Sequence, residues 1–194
     1  MKKYLLTLFY IFKNYHFYSF PILLSEALFY LKSNSVVNKF RYLNDDFLSD
    51  AIPCPHFFLK KIKKFIIQKK IKHLCDLGSG YGRVLYFFGN INKLQIDGVE
   101  LNKEIYLDSI KLNSDYIKIF NENILKFNLN NKKYDLFIVN DPLRKNEDLL
   151  ELILKIKKFC KKSYVICINL DKKKMESANC NLNLIDSFII SKNR

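Results

Sequence analysis

The sequence predicts an α/β fold: a doubly wound, mostly parallel β-sheet with helices on both faces, preceded by a helical N-terminal extension. Short apolar runs alternate with helical segments from residue 55 onward, as expected of βαβ units. A glycine-rich turn follows the first of these runs, where open parallel sheets bind ligands. The chain has 194 residues, of which 49% are hydrophobic, and this length suits one packed domain.

The N-terminal extension and its connection are expected over residues 1–54, and the α/β domain over residues 55–194. Two lysines precede an apolar stretch at residues 4–12, as in a signal peptide, but no small-residue cleavage site follows. A membrane-spanning helix needs roughly 18 consecutive apolar residues, and Lys13 ends this stretch after nine. Residues 4–31 therefore predict two helices that pack on the domain or, as the less favoured alternative, lie on a membrane surface.

The remaining elements follow in order. Residues 32–55 are polar, lack a long periodicity and end in two prolines, so they predict a connection with one helical turn. Strands are expected at the apolar runs HLCDL, LQIDGVEL, YIKIF, YDLFIVN, SYVICINL and LNLIDSFII. The last run leaves the usual closing pair of strands incomplete. Helices are expected over His56–Gln68, Arg83–Phe88, 103–112 and Asn146–Phe159.

The net charge of +14 would suit a nucleic acid, an anionic membrane or an acidic substrate. The lysines are scattered, however, and their clusters at residues 60–64 and 69–72 flank an apolar stripe, as on any amphipathic helix. An ordinary solvated surface is therefore the favoured interpretation.

The five cysteines form no CxxC pair and are odd in number, so neither a zinc site nor a disulfide framework is predicted. A reduced, cytoplasmic protein without a metal site is the simplest interpretation. Cys75 and Cys167 lie within apolar runs and are expected to be small core residues.

The stretch DLGSGYGR, residues 76–83, concentrates three of the five glycines. Gly78, Gly80 and Gly82 would let the backbone turn sharply and let a nucleoside lie against bare backbone. The spacing differs from the G-x-G-x-x-G of dinucleotide enzymes. Asp76 could accept hydrogen bonds from a cationic amine or an ordered water. Alone the turn is weak evidence, because an ordinary strand-to-helix turn also uses one or two glycines.

Glu100 strengthens the prediction of a nucleoside site. It ends the second apolar run, 20 positions after Gly80, where a carboxylate can accept hydrogen bonds from both ribose hydroxyls. The alternative is a solvated acid at a strand end.

The succession DLGSGYGR, GVELN, FNENILKF and YDLFIVNDPL resembles the class I S-adenosylmethionine-dependent methyltransferases in order and spacing. The preceding PCPHFFLKKIKKFI resembles the start of the domain in a bacterial branch of that superfamily. The resemblance implies a Rossmann-like methyltransferase domain over residues 55–194, with S-adenosylmethionine as the cofactor. The resemblance also implies a role for each site residue. The methionine part of the cofactor would be held by Asp76, Gly78, Gly80 and Gly82, and its ribose by Glu100. The adenine would be flanked by Asn123 and Ile124, and the methyl group would be faced by Asn140 and Asp141.

Two positions depart from the family pattern. Many members have aspartate where Asn123 stands. Enzymes that methylate base amines have [DN]-P-P-[YF], whereas this chain has NDPL with Leu143 in place of the aromatic residue, which disfavours base methylation. Asp141 is the candidate for orienting or deprotonating the acceptor, with capping of the next turn as its alternative. Tyr81 and His56 could line the substrate side, but loop or core roles are favoured.

The predicted reaction is methyl transfer to an N, O or S acceptor. A protein side chain or a small or lipid-like molecule is the leading acceptor class, and RNA ranks third on charge alone. One alternative is a nicotinamide-dependent oxidoreductase, disfavoured by the glycine spacing and the lack of a Tyr-x-x-x-Lys pair. The other is a non-catalytic, methyltransferase-like module that docks on a membrane or a nucleic acid through its basic surface.

Overall fold

The computed structural model describes residues 19–130, 132–159 and 163–168. Within them, five strands form one sheet in the order β3-β2-β1-β4-β5, and every neighbouring pair is parallel. The order reverses between β1 and β4, and this is where open α/β sheets form a ligand-binding crevice. The predicted fold class is confirmed. The strands are β1 His73–Leu77, β2 Gln95–Val99, β3 Ile117–Phe120, β4 Leu136–Asn140 and β5 Tyr164–Ile168.

The helices lie where the apolar periodicity predicts them. The predicted helix at 103–112 is α-helical only as far as Ser109 and continues as a 3-10 turn. The helical turn expected in the connection is a 3-10 helix at Ser35–Asn38, capped by Asn34. The α-helices are α1 Ser19–Lys32, α2 His56–Gln68, α3 Arg83–Phe88, α4 Lys103–Ser109 and α5 Asn146–Phe159.

Two apolar clusters fill the two faces of the sheet. Successive strand residues point to opposite faces, so Leu74 packs in one cluster with α2 and α3, whereas Cys75 packs in the other with α5. The lysines of α2 lie on its outer side, away from Leu59 and Ile62. Cys75 and Cys167 are core residues, as predicted. Cys160, Cys180 and the predicted strand at 182–190 lie outside the described residues.

The helix α1 packs against α2 through Ile22 and Phe29, which are buried. Its opposite side exposes four apolar side chains, which are between 48% and 80% accessible: Phe20, Leu24, Leu28 and Leu31. No helix in the described part of the chain is long and apolar enough to span a membrane. Residues 1–18, which would hold the other predicted N-terminal helix, lie outside the description. The domain boundary after residue 54 stays a prediction.

Candidate functional site

The glycine turn connects β1 to α3 and has a backbone that disfavours other residues. Gly78, Gly80 and Gly82 have φ angles of +84°, +54° and +79°, in the left-handed region. A Cβ on Gly78 would lie 2.3 Å from the Cβ of Pro142, whereas one on Gly80 would meet no atom within 4 Å. The turn therefore packs tightly on the segment after β4 and leaves open space above Gly80.

Glu100 fastens this turn to the end of β2. One carboxylate oxygen accepts from the Gly80 amide at 2.9 Å, and the other from the Asn102 amide at 2.7 Å. The side chain is only 6% exposed, so Glu100 is not the solvated strand-end acid of the alternative interpretation. Burial raises the pKa of Glu100, while these backbone hydrogen bonds lower it. A carboxylate has about four acceptor positions, so capacity remains for ligand hydroxyls.

Asp76 is the most unusual group in the site. Its side chain is 1% exposed, and neither carboxylate oxygen has a hydrogen-bond partner among the described residues. Burial, and secondarily the charge of Glu100, raise the pKa of Asp76 to about 8. The nearby hydroxyl of Ser79 is likewise buried without a partner. Buried polar groups are nearly always paired in folded proteins, so these atoms indicate a place for a ligand.

The segment after β4 forms the next side of the cleft. Asn140 ends the strand and donates through Nδ2 to the Ile52 carbonyl at 3.1 Å. Asp141 has a φ angle of +40°, an uncommon conformation for a residue with a side chain. Leu143 is buried and forms a β-bridge with Leu48, so it belongs to the core and does not stack in the cleft.

One cleft of about 780 Å³, counting its open mouth, brings together seven of the nine sequence-predicted site residues: Asp76, Gly78, Gly80, Glu100, Ile124, Asn140 and Asp141. Gly82 and Asn123 do not line it. Gly82 is the N-cap of α3. The Asn123 side-chain oxygen accepts from the Leu125 amide at 2.8 Å, so the side chain holds the turn that presents Ile124.

One complete wall of this cleft was not predicted from the sequence. Residues 47–53, within the predicted connection, run along the segment after β4 and line the cleft. The Ser49 amide donates to the Pro142 carbonyl at 3.2 Å, and the Arg144 amide donates to the Phe47 carbonyl at 2.9 Å. The apolar residues in this otherwise polar connection were the signal that could have revealed the wall.

Arg83 was also missed, although it directly follows the glycine turn. Its buried guanidinium pairs with Glu26 of α1. It also donates to the carbonyls of Val37 and Cys54, both at 3.1 Å, and to the Asn38 side chain at 2.6 Å. One cation thus joins α1 and the connection to the first turn of α3. The signal was Glu26, an isolated acid within an apolar stretch.

The two aromatic candidates differ in position. His56 is a core residue, as the favoured interpretation has it: its ring stacks on Phe29 at 4.6 Å, and its Nδ1 lies 2.9 Å from the Ser25 hydroxyl. Burial lowers the pKa of His56. Tyr81 lines the cleft, with the Lys39 ammonium 5.5 Å from its ring centre. Across the described ranges, no group of three or more His, Cys, Asp or Glu could hold a metal ion.

None of the family models and none of the curated proteins compared with the chain matches it. Solved structures do match. A Staphylococcus aureus protein assigned as a caffeoyl-CoA O-methyltransferase aligns with 82% of this chain and 87% of its own, at 15% identity and a TM-score of 0.57.

Two further matches are shorter. The plantazolicin methyltransferase BpumL in complex with SAH aligns over 61% of this chain and 48% of its own, at 20% identity and a TM-score of 0.49. The methyltransferase domain of bacterial CtHen1 aligns over 57% and 63%, at 17% identity and a TM-score of 0.49. The match therefore spans about half to two thirds of those two chains. The agreement in fold rests on the longer match, which has the TM-score of 0.57. The chain has the fold of the class I S-adenosylmethionine-dependent methyltransferases.

Proposed function

We propose that this protein transfers a methyl group from S-adenosylmethionine to an N, O or S acceptor. The observation that carries the proposal is the buried carboxyl group of Asp76, which has no hydrogen-bond partner among the described residues and lies beside the glycine turn. The cofactor's cationic amine would supply the missing hydrogen bonds. The open space above Gly80 suits a ligand that lies against bare backbone, so the residues present fit the cofactor.

The roles follow from position in the cleft. Asp76, Gly78 and Gly80 would hold the methionine part, and Gly82 would keep the turn in place by capping α3. Glu100 would accept the ribose hydroxyls with its remaining lone pairs while it anchors the Gly80 amide. A hydrogen bond to a charged group contributes about 1.5–3 kcal/mol. Ile124 would pack on the adenine, and Asn123 would support it by fixing the intervening turn.

When bound, the cofactor supplies an electrophilic methyl group on a sulfonium. The protein's task is to hold the acceptor atom about 3–3.5 Å from that carbon and in line with the bond that breaks. Asn140 and Asp141 lie at the end of β4 on the same cleft and would face the acceptor. We assign to Asp141 the orientation or deprotonation of the acceptor, since its left-handed backbone is the kind of local strain found at functional sites.

The two other interpretations remain distinct in their consequences. A nicotinamide-dependent enzyme would bind NAD in this cleft, and a non-catalytic module would bind S-adenosylmethionine without releasing its methyl group, or would not bind it. The methyltransferase fold supports methyl transfer in general, and it does not identify the acceptor. A cytoplasmic location and contact of the N-terminal segment with a membrane surface stay predictions.

The first test is isothermal titration of the full-length protein with S-adenosylmethionine and with NAD. We expect micromolar binding of S-adenosylmethionine, no binding of NAD, and at least tenfold weaker S-adenosylmethionine binding by Glu100→Ala. Glu147→Ala is the matched control, because Glu147 is an exposed glutamate in the first turn of α5. Tight NAD binding, or equal affinities in Glu100→Ala and wild type, would contradict the proposal.

Catalysis is tested separately from binding. The protein is incubated with methyl-tritiated S-adenosylmethionine and a cell extract, and label is counted in protein, lipid, nucleic-acid and small-molecule fractions. We expect Asp141→Asn to lower labelling by at least tenfold and to change cofactor affinity by less than threefold. Cofactor binding with no labelled product in any fraction would favour the non-catalytic module.

A further inference from the structure

We propose that residues 47–53 are the acceptor-binding wall of the cleft, and that the wall selects an apolar acceptor that carries no negative charge. The inference rests on the proposed function, because it concerns the acceptor of the same reaction. It reverses what the net charge of +14 suggests about the partner.

The position of this wall follows from its backbone contacts. It lies against the segment after β4, through the Ser49 and Pro142 pair, the Phe47 and Arg144 pair, and the bridge between Leu48 and Leu143. The Asn140 side chain donates to the Ile52 carbonyl at 3.1 Å. The wall therefore borders the end of the cleft where Asn140 and Asp141 lie, and it meets the glycine turn only through Pro142, on which Gly78 packs.

The side chains of the wall are suited to apolar contact. All seven residues line the cleft, and each is partly exposed. Five are apolar: Phe47, Leu48, Ala51, Ile52 and Pro53. Partly exposed apolar groups in a cleft gain free energy when a ligand covers them, at roughly 25 cal/mol per Å² of buried apolar surface. The wall thus favours an aliphatic or aromatic stem next to the reacting atom.

The charges along the cleft disfavour an anion. The two described cations that line it are both occupied, since Lys39 pairs with Asp108 and Arg83 pairs with Glu26. Four carboxyl groups also line the cleft: Asp50, Asp76, Glu100 and Asp141. Asp50 pairs with Arg144 at 3.5 Å, and Asp76 keeps its proton near neutral pH because burial raises its pKa to about 8, but Asp141 lies at the acceptor end. A phosphate or carboxylate there would meet the Asp141 carboxyl and no unoccupied cation among the described residues. Lys60, Lys61 and Lys64 of α2 are exposed and do not line the cleft, and a nucleic acid would bind at such a surface.

The test uses full-length protein saturated with S-adenosylhomocysteine and the neutral fluorophore N-phenyl-1-naphthylamine as the apolar probe. Emission rises when this dye enters an apolar site. We expect Phe47→Asp and Ile52→Asp each to weaken dye binding at least tenfold, and to change S-adenosylhomocysteine affinity by less than threefold. The control is Leu28→Asp, which places the same charge on an exposed apolar residue of α1 that does not line the cleft. A twelve-nucleotide oligouridylate should not displace the dye.

The outcomes separate the two proposals. Dye binding that is unchanged in both wall variants, or lost only in Leu28→Asp, overturns the acceptor wall. Displacement of the dye by the oligonucleotide also overturns it. The cofactor titration reports independently on the proposed function: if S-adenosylhomocysteine does not bind, that function fails, and the dye assay on the unliganded protein still tests the wall. Retained cofactor affinity shows that a variant has folded, and two wall variants guard against the failure of one.

Discussion

Asp76 carries a buried carboxyl group to which no described part of the chain offers a hydrogen-bond partner. Such a group lowers the stability of the unliganded protein, and selection for stability alone would replace it. Its burial next to Glu100 makes sense when a cationic ligand completes the site. The residue is therefore a stability cost that ligand binding offsets, and this property can be measured without knowing the acceptor.

We expect Asp76→Asn to stabilise the unliganded protein increasingly as the pH rises. The pKa of Asp76 is about 8 in the folded protein against an ordinary value of 3.8. Between these values the folded state keeps a proton that the unfolded state has released, so the free energy of unfolding falls as the pH rises towards 8. The variant lacks this loss and should be more stable by a free energy on the order of 5 kcal/mol at pH 8, with little difference at pH 4.

The measurement is urea denaturation of both proteins between pH 4 and 8. Taking the difference between them cancels the opposite trend from His56, whose lowered pKa gives a contribution to stability that is lost as the pH falls. A difference that does not change with pH would show that Asp76 is ionised throughout and would contradict the assigned shift. The variant should also bind S-adenosylmethionine at least tenfold more weakly.

The two glycines of the turn should respond differently to alanine. Both have positive φ angles, so each substitution costs about 1–2 kcal/mol in backbone strain. Gly78→Ala should cost more, because its Cβ would clash with Pro142. Gly80→Ala meets no protein atom, so it should mainly weaken cofactor binding. Urea denaturation and calorimetric titration measure the two effects, and equal losses of stability would contradict the assignment of open space to Gly80.

At the scale of elements, a buried ion pair between Glu26 and Arg83 joins α1 to α3, in addition to the apolar packing of α1 on α2. Glu26 accepts from the Arg83 guanidinium and, through its other oxygen, from the His56 amide at 2.9 Å. We expect Glu26→Gln to lower the free energy of unfolding by about 3–5 kcal/mol, since it leaves the buried arginine without a countercharge.

The matched control for this pair is Glu104→Gln. Glu104 also pairs with an arginine, Arg41, but on an exposed surface, where ion pairs contribute little. The midpoint of urea unfolding should therefore not move in the control. A small effect of Glu26→Gln would mean that the remaining bonds of Arg83, to Val37, Asn38 and Cys54, hold the element without the countercharge.

The elements that the sequence predicted well are those whose signal is local. HLCDL is a short, mostly apolar run bounded by a lysine and a glycine turn, and its limits are those of β1. The starts of α2 and α3 also follow from the sequence, because Pro55 directly precedes α2 and Gly82 directly precedes α3. The wall at residues 47–53 could not be found in this way. Its partners lie about 90 positions away, and its hydrogen bonds are mostly made by backbone groups, which every residue carries.

At the scale of the whole molecule, the candidate site also has a part that the sequence predicts and a part that it does not. Because parallel strands end at the same edge of a sheet, Asp76, Glu100 and Asn140 could be expected together from their places after apolar runs. What the sequence could not show is side-chain orientation: Asn123 holds a turn, and Leu143 enters the core. The net charge was the least informative quantity about the site, because it sums the charges of the whole chain and says little about those that line the cleft.

The lysines of α2, such as Lys60 and Lys61, do not line the cleft. Ligand binding in the cleft and oligonucleotide binding at these lysines should therefore respond differently to salt. Buried contacts are screened much less than surface charges, so S-adenosylmethionine affinity should change by less than about threefold between 50 and 500 mM NaCl. Binding of the twelve-nucleotide oligouridylate should fall by a factor of about 10² or more, because surface lysines that neutralise its phosphates release its condensed counterions. The double variant Lys60→Gln, Lys61→Gln should weaken the binding of the oligonucleotide and leave the binding of S-adenosylmethionine unchanged. Calorimetry and fluorescence anisotropy at three salt concentrations test this, and parallel losses for both ligands would mean that the cleft and the lysine surface form one site.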